Sequence, residues 1–173
     1  MQKRANAVTF KGNPLTLVGP QLKAGDKAPD FVCLKGLDLV KLGDTPAKPR
    51  LFSVVPSLDT PVCNQQTKKF NETLAAFGDK VASYTVSLDL PFAQGRFCGA
   101  ENITNLTSLS DVHDQSFGKN YGVLIEGLPL ALLSRAIFIL DKDGKISYVE
   151  YVPEVASHPN YDNALAALKA LAG

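Results

Sequence analysis

Cysteine is scarce in this chain: Cys33, Cys63 and Cys98 are the three among 173 residues. Three are too few for a disulfide scaffold, and no two of them form the CxxC or CxxH spacing from which zinc sites are built. An important cysteine here is therefore expected to be a reagent. Histidine is scarcer still, and His113 and His158, in polar stretches beside Asp114 and Pro159, are too far apart in sequence to read as a metal pair. Charge of one sign is missing too, with 18 Lys plus Arg against 17 Asp plus Glu. That balance argues against nucleic acid or an anionic membrane surface as a partner. No apolar run approaches the ~20 residues a membrane span requires, and "MQKRANAVTFKGNPL" lacks the apolar run of a signal peptide, so the expected address is cytoplasmic. Without repeats, low-complexity tracts or linkers, residues 1–173 read as a single domain with enough core to fold unaided. GxGxxG and GxxxxGK are absent; Gly78, Gly99, Gly122 and Gly144 read as turn punctuation, and no metal or organic cofactor is expected.

What is present is an alternation of elements. "VTFKGNPLTLV" carries β-formers on both sides of Gly-Asn-Pro and predicts an N-terminal β-hairpin. "FVCLKGLDLVKL" predicts two short strands around Gly36. "RLFSVVP" is a near-continuous apolar run of strand length, predicting a central strand buried on both faces and ended by Pro56. A helix starting at Pro61 should follow, with Val62, Phe70, Leu74 and Phe77 on one face and Gly78 as its stop. Then come an alternating strand in "VASYTVSL", a short helix from Pro91 and a helical turn in "SFGKNYG". "RAIFILDKDGKISYVEYV" predicts a hairpin turning at Lys-Asp-Gly, and "YDNALAALKALAG" a closing helix. The sum is an α/β architecture, a mixed central β-sheet flanked by helices.

This frame places one thiol at an unusual point. Thr60 falls at a helix N-cap, Pro61 at the first helical position and Cys63 in the first turn. Unpaired backbone N–H groups and the positive end of the helix dipole favour an anion there, so Cys63 is expected to be partly thiolate near neutral pH. Asp59 opposes this, while Lys68 and Lys69 lie on another face, so full activation needs a cation delivered by the fold. Of the four arginines, Arg135 is the strong candidate, because it precedes the strand "AIFIL" and strand ends are where ligand chemistry collects in α/β sheets. Cys98, just before Gly99 near the end of its helix, sits where the dipole disfavours a thiolate. One cysteine poised to attack and one held back is what a peroxide-reducing disulfide cycle requires. Cys33, between Val32 and Leu34 in a strand, reads as a small buried hydrophobe.

"PSLDTPVC" fits the PxxxTxxC motif of peroxiredoxins. With "DLPFAQGRFCGAE", "LSRAIFILDKDG" and the N-terminal hairpin, nearly the whole chain resembles the bacterial thiol peroxidases, the atypical two-cysteine branch of that family. The resemblance implies a thioredoxin-like fold and makes Cys63 the peroxidatic cysteine and Cys98 the resolving one. Thr60 and Arg135 become the groups that orient and polarise the peroxide, and Pro56 the shield. It further implies an intramolecular Cys63–Cys98 disulfide reduced by thioredoxin, hydroperoxide substrates, hydrogen peroxide and alkyl hydroperoxides among them, and a homodimer. One departure is visible: some relatives carry a third cysteine in the strand before "DLPF", where this chain has Thr85.

Two readings compete with the peroxidase. A thiol–disulfide oxidoreductase or redox-interaction module of thioredoxin-like fold normally uses CxxC, and Gln66 occupies that offset from Cys63. A non-enzymatic holdase would carry the Cys63–Cys98 bond merely as structure. In the peroxidase reading, by contrast, the two cysteines are each held by their own helix and stay unbonded until peroxide arrives.

Overall fold

The run "RLFSV" becomes strand β5 (Arg50–Val54), buried along its whole length, and the rest of the molecule is arranged around it. The computed structural model describes all residues, Met1–Gly173. The chain opens with β1 (Lys3–Phe10) and β2 (Asn13–Val18), followed by β3 (Val32–Lys35) and β4 (Asp38–Lys41). After β5 come α1 (Pro61–Leu74), β6 (Ala82–Ser87), α2 (Pro91–Ala100), β7 (Thr107–Ser110) and α3 (Ser116–Asn120). The last elements are β8 (Leu124–Glu126), β9 (Ala136–Leu140), β10 (Ile146–Tyr151) and α4 (Tyr161–Ala172). Seven strands form a mixed sheet in the order β10-β9-β5-β6-β7-β3-β4, with β5 parallel to β6 and antiparallel to β9. No helix is long and apolar enough to cross a membrane.

Alternation along the strands divides the core in two. Phe52 and Val54 join Val86, Phe117, Tyr121 and Phe138 on one face of the sheet. Leu51, Ile137 and Ile139 point the other way and meet Phe70 and Leu74 of α1, Phe97 of α2 and Leu168 of α4. β6 was expected to alternate, yet it is buried from Ser83 through Ser87. As a parallel strand paired on both edges and covered on both faces, it has no solvent side to which polar residues could turn.

The N-terminal hairpin turns at Lys11 and Gly12, both at positive φ, and not at the expected Gly-Asn-Pro. Phe10 pairs with Asn13, the two-residue loop that favours such backbone. The hairpin recruits β8, which sequence reading missed along with β7; both are short, and their strand character comes from distant partners. Through Thr9, whose amide donates to the Pro153 carbonyl and whose carbonyl accepts from the Val155 amide, the hairpin also braces the segment after β10.

Cys33 is buried, and its thiol donates to the Asp111 carboxylate at 3.7 Å. Burial, then the charge of Asp111, pushes the thiol's pKa up, which keeps it protonated and inert. Asp111 accepts from the amides of Phe117 and Gly118 at the start of α3. Burial pushes its carboxyl up to about 6 from 3.8, against the lowering effect of those amides. A carboxyl whose folded pKa is raised binds its proton more tightly folded than unfolded, so its contribution to stability is complete below pH ~4 and is lost as pH rises towards ~6. The expected result is an Asp111 carboxyl carbon titrating near pH 6 by NMR, and an Asp111→Asn variant whose stability varies less with pH between 4 and 6. A midpoint at the ordinary carboxylate value would contradict it.

Candidate active site

Pro56 lies just beyond β5 and is buried. The turn that follows is held by Asp89, whose carboxylate accepts from the Ser57 hydroxyl and the Leu58 amide, both at 2.8 Å, and from Ser87 at 2.8 Å. Thr60 occupies the N-cap position of α1 with extended backbone, as its sequence context predicts. Its hydroxyl does not cap the helix, however. It donates back to the Ser57 carbonyl at 2.8 Å, closing the turn that carries the chain into α1. Pro61 takes the first helical position, where a missing N–H costs nothing.

Cys63 follows in the first turn with no solvent exposure. The buried stripe of α1 is Cys63, Gln66, Thr67, Phe70 and Leu74. Val62, expected on that stripe, is only half-buried and faces a surface groove. Phe70 and Leu74 are buried as expected, and the reading departs from the structure only in the first turns, where Cys63, Gln66 and Thr67 face inward, because Gln66 and Thr67 are buried polar residues that a hydrophobicity pattern assigns to solvent. Thr67 satisfies its hydroxyl on the Cys63 carbonyl at 2.9 Å.

Arg135 reaches this thiol from the segment entering β9. It is 2% exposed and is in none of the molecule's ion pairs. Nε donates to the Val155 carbonyl at 3.0 Å, Nη1 to Gln66 Oε1 at 2.9 Å and Nη2 to the Cys63 sulfur at 3.3 Å. Two neutral acceptors fix the plane of the guanidinium, and the third donor is aimed at sulfur. Since no carboxylate neutralises it, the positive charge is left to stabilise an anion at that point. Gln66 itself is oriented by the Ser53 hydroxyl, to which its Nε2 donates at 2.7 Å. Sequence reading noticed Gln66 only as the residue that breaks a CxxC; the one available signal was a polar side chain on the inner face of a helix. Asp89 was likewise missed, although it opens the quoted "DLPF" stretch.

Asp59, expected to oppose a negative charge at Cys63, is exposed and lies 3.9 Å from Arg96 Nη2. Cys98 lies in the last turn of α2, half-buried, with its sulfur 3.0 Å from the Ser108 hydroxyl on β7. All three cysteines are free. His113 and His158 are exposed, and His158 Nδ1 meets the Tyr161 hydroxyl at 2.7 Å.

A groove of about 590 Å³ opens over this constellation. Pro56, Thr60 and Arg135 are among the residues that line it, and Phe10, Val62, Ile125, Leu128, Leu130 and Leu132 supply apolar walls. The groove therefore joins a cationic donor to a surface that accepts hydrocarbon. Such an arrangement can seat a molecule with one polar, reducible end and an apolar remainder.

A family model described as Redoxin matches residues 23–165. The chain is 51% identical over 165 residues to a thiol peroxidase of Bacillus subtilis, covering 95% of this chain and 97% of the relative. It is 52% identical over 166 residues to a thiol peroxidase of Streptococcus pneumoniae, covering 95% and 99% respectively. Among solved structures, a peroxiredoxin-like protein from Aquifex aeolicus superposes with a TM-score of 0.89 at 48% identity, covering 96% of this chain and 98% of that one. A thiol peroxidase from Chromobacterium violaceum, only 21% identical over 94% of this chain and 95% of its own, has the same fold at a TM-score of 0.84. The family match spans residues 23–165 and the relatives cover nearly the whole chain, which accordingly belongs to the Redoxin family as a thiol-dependent peroxidase of thioredoxin-like fold, in the thiol peroxidase branch.

Proposed function

We propose that Cys63 is the peroxidatic cysteine and Cys98 the resolving one, and that hydrogen peroxide and alkyl hydroperoxides are the substrates. The observation that carries this reading is the Arg135 Nη2 to Cys63 Sγ contact of 3.3 Å, made by an arginine that also lines a mainly apolar groove. The Cys63 thiolate attacks one peroxide oxygen, the O–O bond breaks, and the second oxygen leaves with the bond pair to be protonated to water or an alcohol. Arg135 and the Thr60 hydroxyl donate to the oxygens on which charge grows, as a preorganised anion hole does. Pro56, buried and without an N–H, shields the sulfur from water. Cys63 is left as a sulfenic acid, and the Cys98 thiol condenses with it, releasing water and forming the disulfide. Thioredoxin then supplies the two electrons that restore both thiols. The same reading includes a homodimer in the cytoplasm, the dimer to be checked by light scattering.

Forming the disulfide requires motion. The Cys98 sulfur has to leave Ser108, and Cys63 has to leave the buried cluster to which Phe70 and Phe97 also belong. Each lies at the end of its helix, where part of the hydrogen bonding is already missing and local unwinding costs little. Cys98→Ser is therefore expected to consume one equivalent of peroxide per chain and then stall as a sulfenic acid, trapped by dimedone and read by mass spectrometry. Hydrogen exchange in residues 60–70 and 92–100 should be faster in the oxidised wild-type than in the reduced protein. Sustained turnover of Cys98→Ser with thioredoxin would remove Cys98 from the cycle, and identical exchange would remove the unwinding.

A further inference from the structure

At the end of β5 opposite the Pro56–Thr60 turn lies a second buried guanidinium. Arg50, the first residue of the strand, is 5% exposed. Nη1 donates to the Thr45 hydroxyl at 3.0 Å and Nη2 to the Asp141 carbonyl at 2.8 Å, while Nε has no partner. None of the ion pairs involves it. A buried cation held by neutral acceptors alone is unfavourable unless an anion compensates it. At the other end of the sheet, the corresponding situation of Arg135 is explained by the sulfur it faces. Nothing in the peroxidase chemistry explains Arg50, because β5 carries it a full strand length away from Cys63.

Arg50 borders an open cavity of about 550 Å³, a size that accepts a small molecule. The loop bearing Lys27 and Asp30, the turn at Leu42–Thr45 and the β9–β10 turn with Lys142 and Asp143 form its walls. Three cations thus line it against two carboxylates. One oxygen of Asp30 is already engaged by the amides of Phe31 and Leu42. Lys27 and Lys142 are exposed and free to swing over the opening.

We propose that this cavity binds a small tetrahedral oxyanion, either free inorganic phosphate or the terminal phosphate of a nucleotide. Arg50 supplies the buried charge and the N–H groups of Nη1 and Nη2 that Thr45 and Asp141 leave unused, and Lys27 and Lys142 close over the ligand. A guanidinium suits this ligand because its planar fork matches two oxygens of a phosphate.

Calorimetric titration of the full chain at constant ionic strength tests the site, using inorganic phosphate, ADP and chloride. The expected result is one phosphate or ADP bound per chain and no comparable binding of chloride. Arg50→Gln should weaken phosphate binding more than tenfold. Lys27→Gln/Lys142→Gln, which leaves the buried arginine in place, should weaken it several-fold and keeps the test open if Arg50→Gln does not fold. ADP binding at least tenfold tighter than phosphate assigns the site to a nucleotide, and equal binding assigns it to the free ion. Absence of binding, chloride binding as well as phosphate, or an affinity unchanged in the double lysine variant would overturn the proposal.

Discussion

Cys63→Ser is expected to abolish hydroperoxide turnover, with kcat/KM falling roughly a thousandfold or more, as when a nucleophile is removed from an enzyme that works by covalent catalysis. The substitution changes one atom at a site with no solvent exposure. A hydroxyl oxygen can still accept from Arg135 Nη2, so the buried guanidinium keeps a partner and the fold should survive. Chemistry is what is lost: a serine hydroxyl stays protonated at neutral pH and is a poor nucleophile towards an O–O bond. The measurement is peroxide consumption with thioredoxin as reductant, alongside thermal unfolding to show that the variant is folded. Residual turnover above a few per cent in a folded protein would take the peroxidatic role away from Cys63.

Arg135→Lys should slow the peroxide step by about a hundredfold, the scale of losing one preorganised donor to developing negative charge. Its positive charge is retained, so long-range electrostatics predicts a much smaller effect. Geometry decides otherwise. The guanidinium serves the Val155 carbonyl, Gln66 Oε1 and the Cys63 sulfur from three separate nitrogens, and one ammonium cannot reach all three. Whichever acceptors are dropped remain buried and unsatisfied, which costs about 1–3 kcal/mol apiece in stability. Stopped-flow kinetics of the first turnover separates this effect from reduction of the disulfide. A wild-type rate would remove Arg135 from the peroxide step, leaving it a structural bridge between α1 and the segment after β10.

The sequence by itself determined those features that depend on neighbours in the chain. Pro61 behind Thr60 starts α1 and puts Cys63 in its first turn, Pro91 starts α2, and the apolar run of β5 ends near Pro56. These are effects of fixed φ, missing N–H groups and side-chain period, and they read correctly because nothing distant is needed to produce them. The motif around Cys63 carried the family for the same reason: its residues are contiguous. Tertiary structure decided whatever depends on partners far along the chain. Thr60 sits at the N-cap position in sequence, yet its hydroxyl turns back to Ser57 because the Asp89 clamp folds residues 57–60 into a closed turn. Gln66 looks like a solvated helix residue and is instead buried, its two ends fixed by Ser53 and by an arginine 69 positions away. β7 and β8 are strands only because β6 and β2 pair with them. Arg50, an ordinary basic residue before an apolar run, becomes a buried cation because the Thr45 and Asp141 segments close over it. Burial and hydrogen-bond partnership are properties of the packed whole, whereas helix starts and strand ends are settled within a few residues.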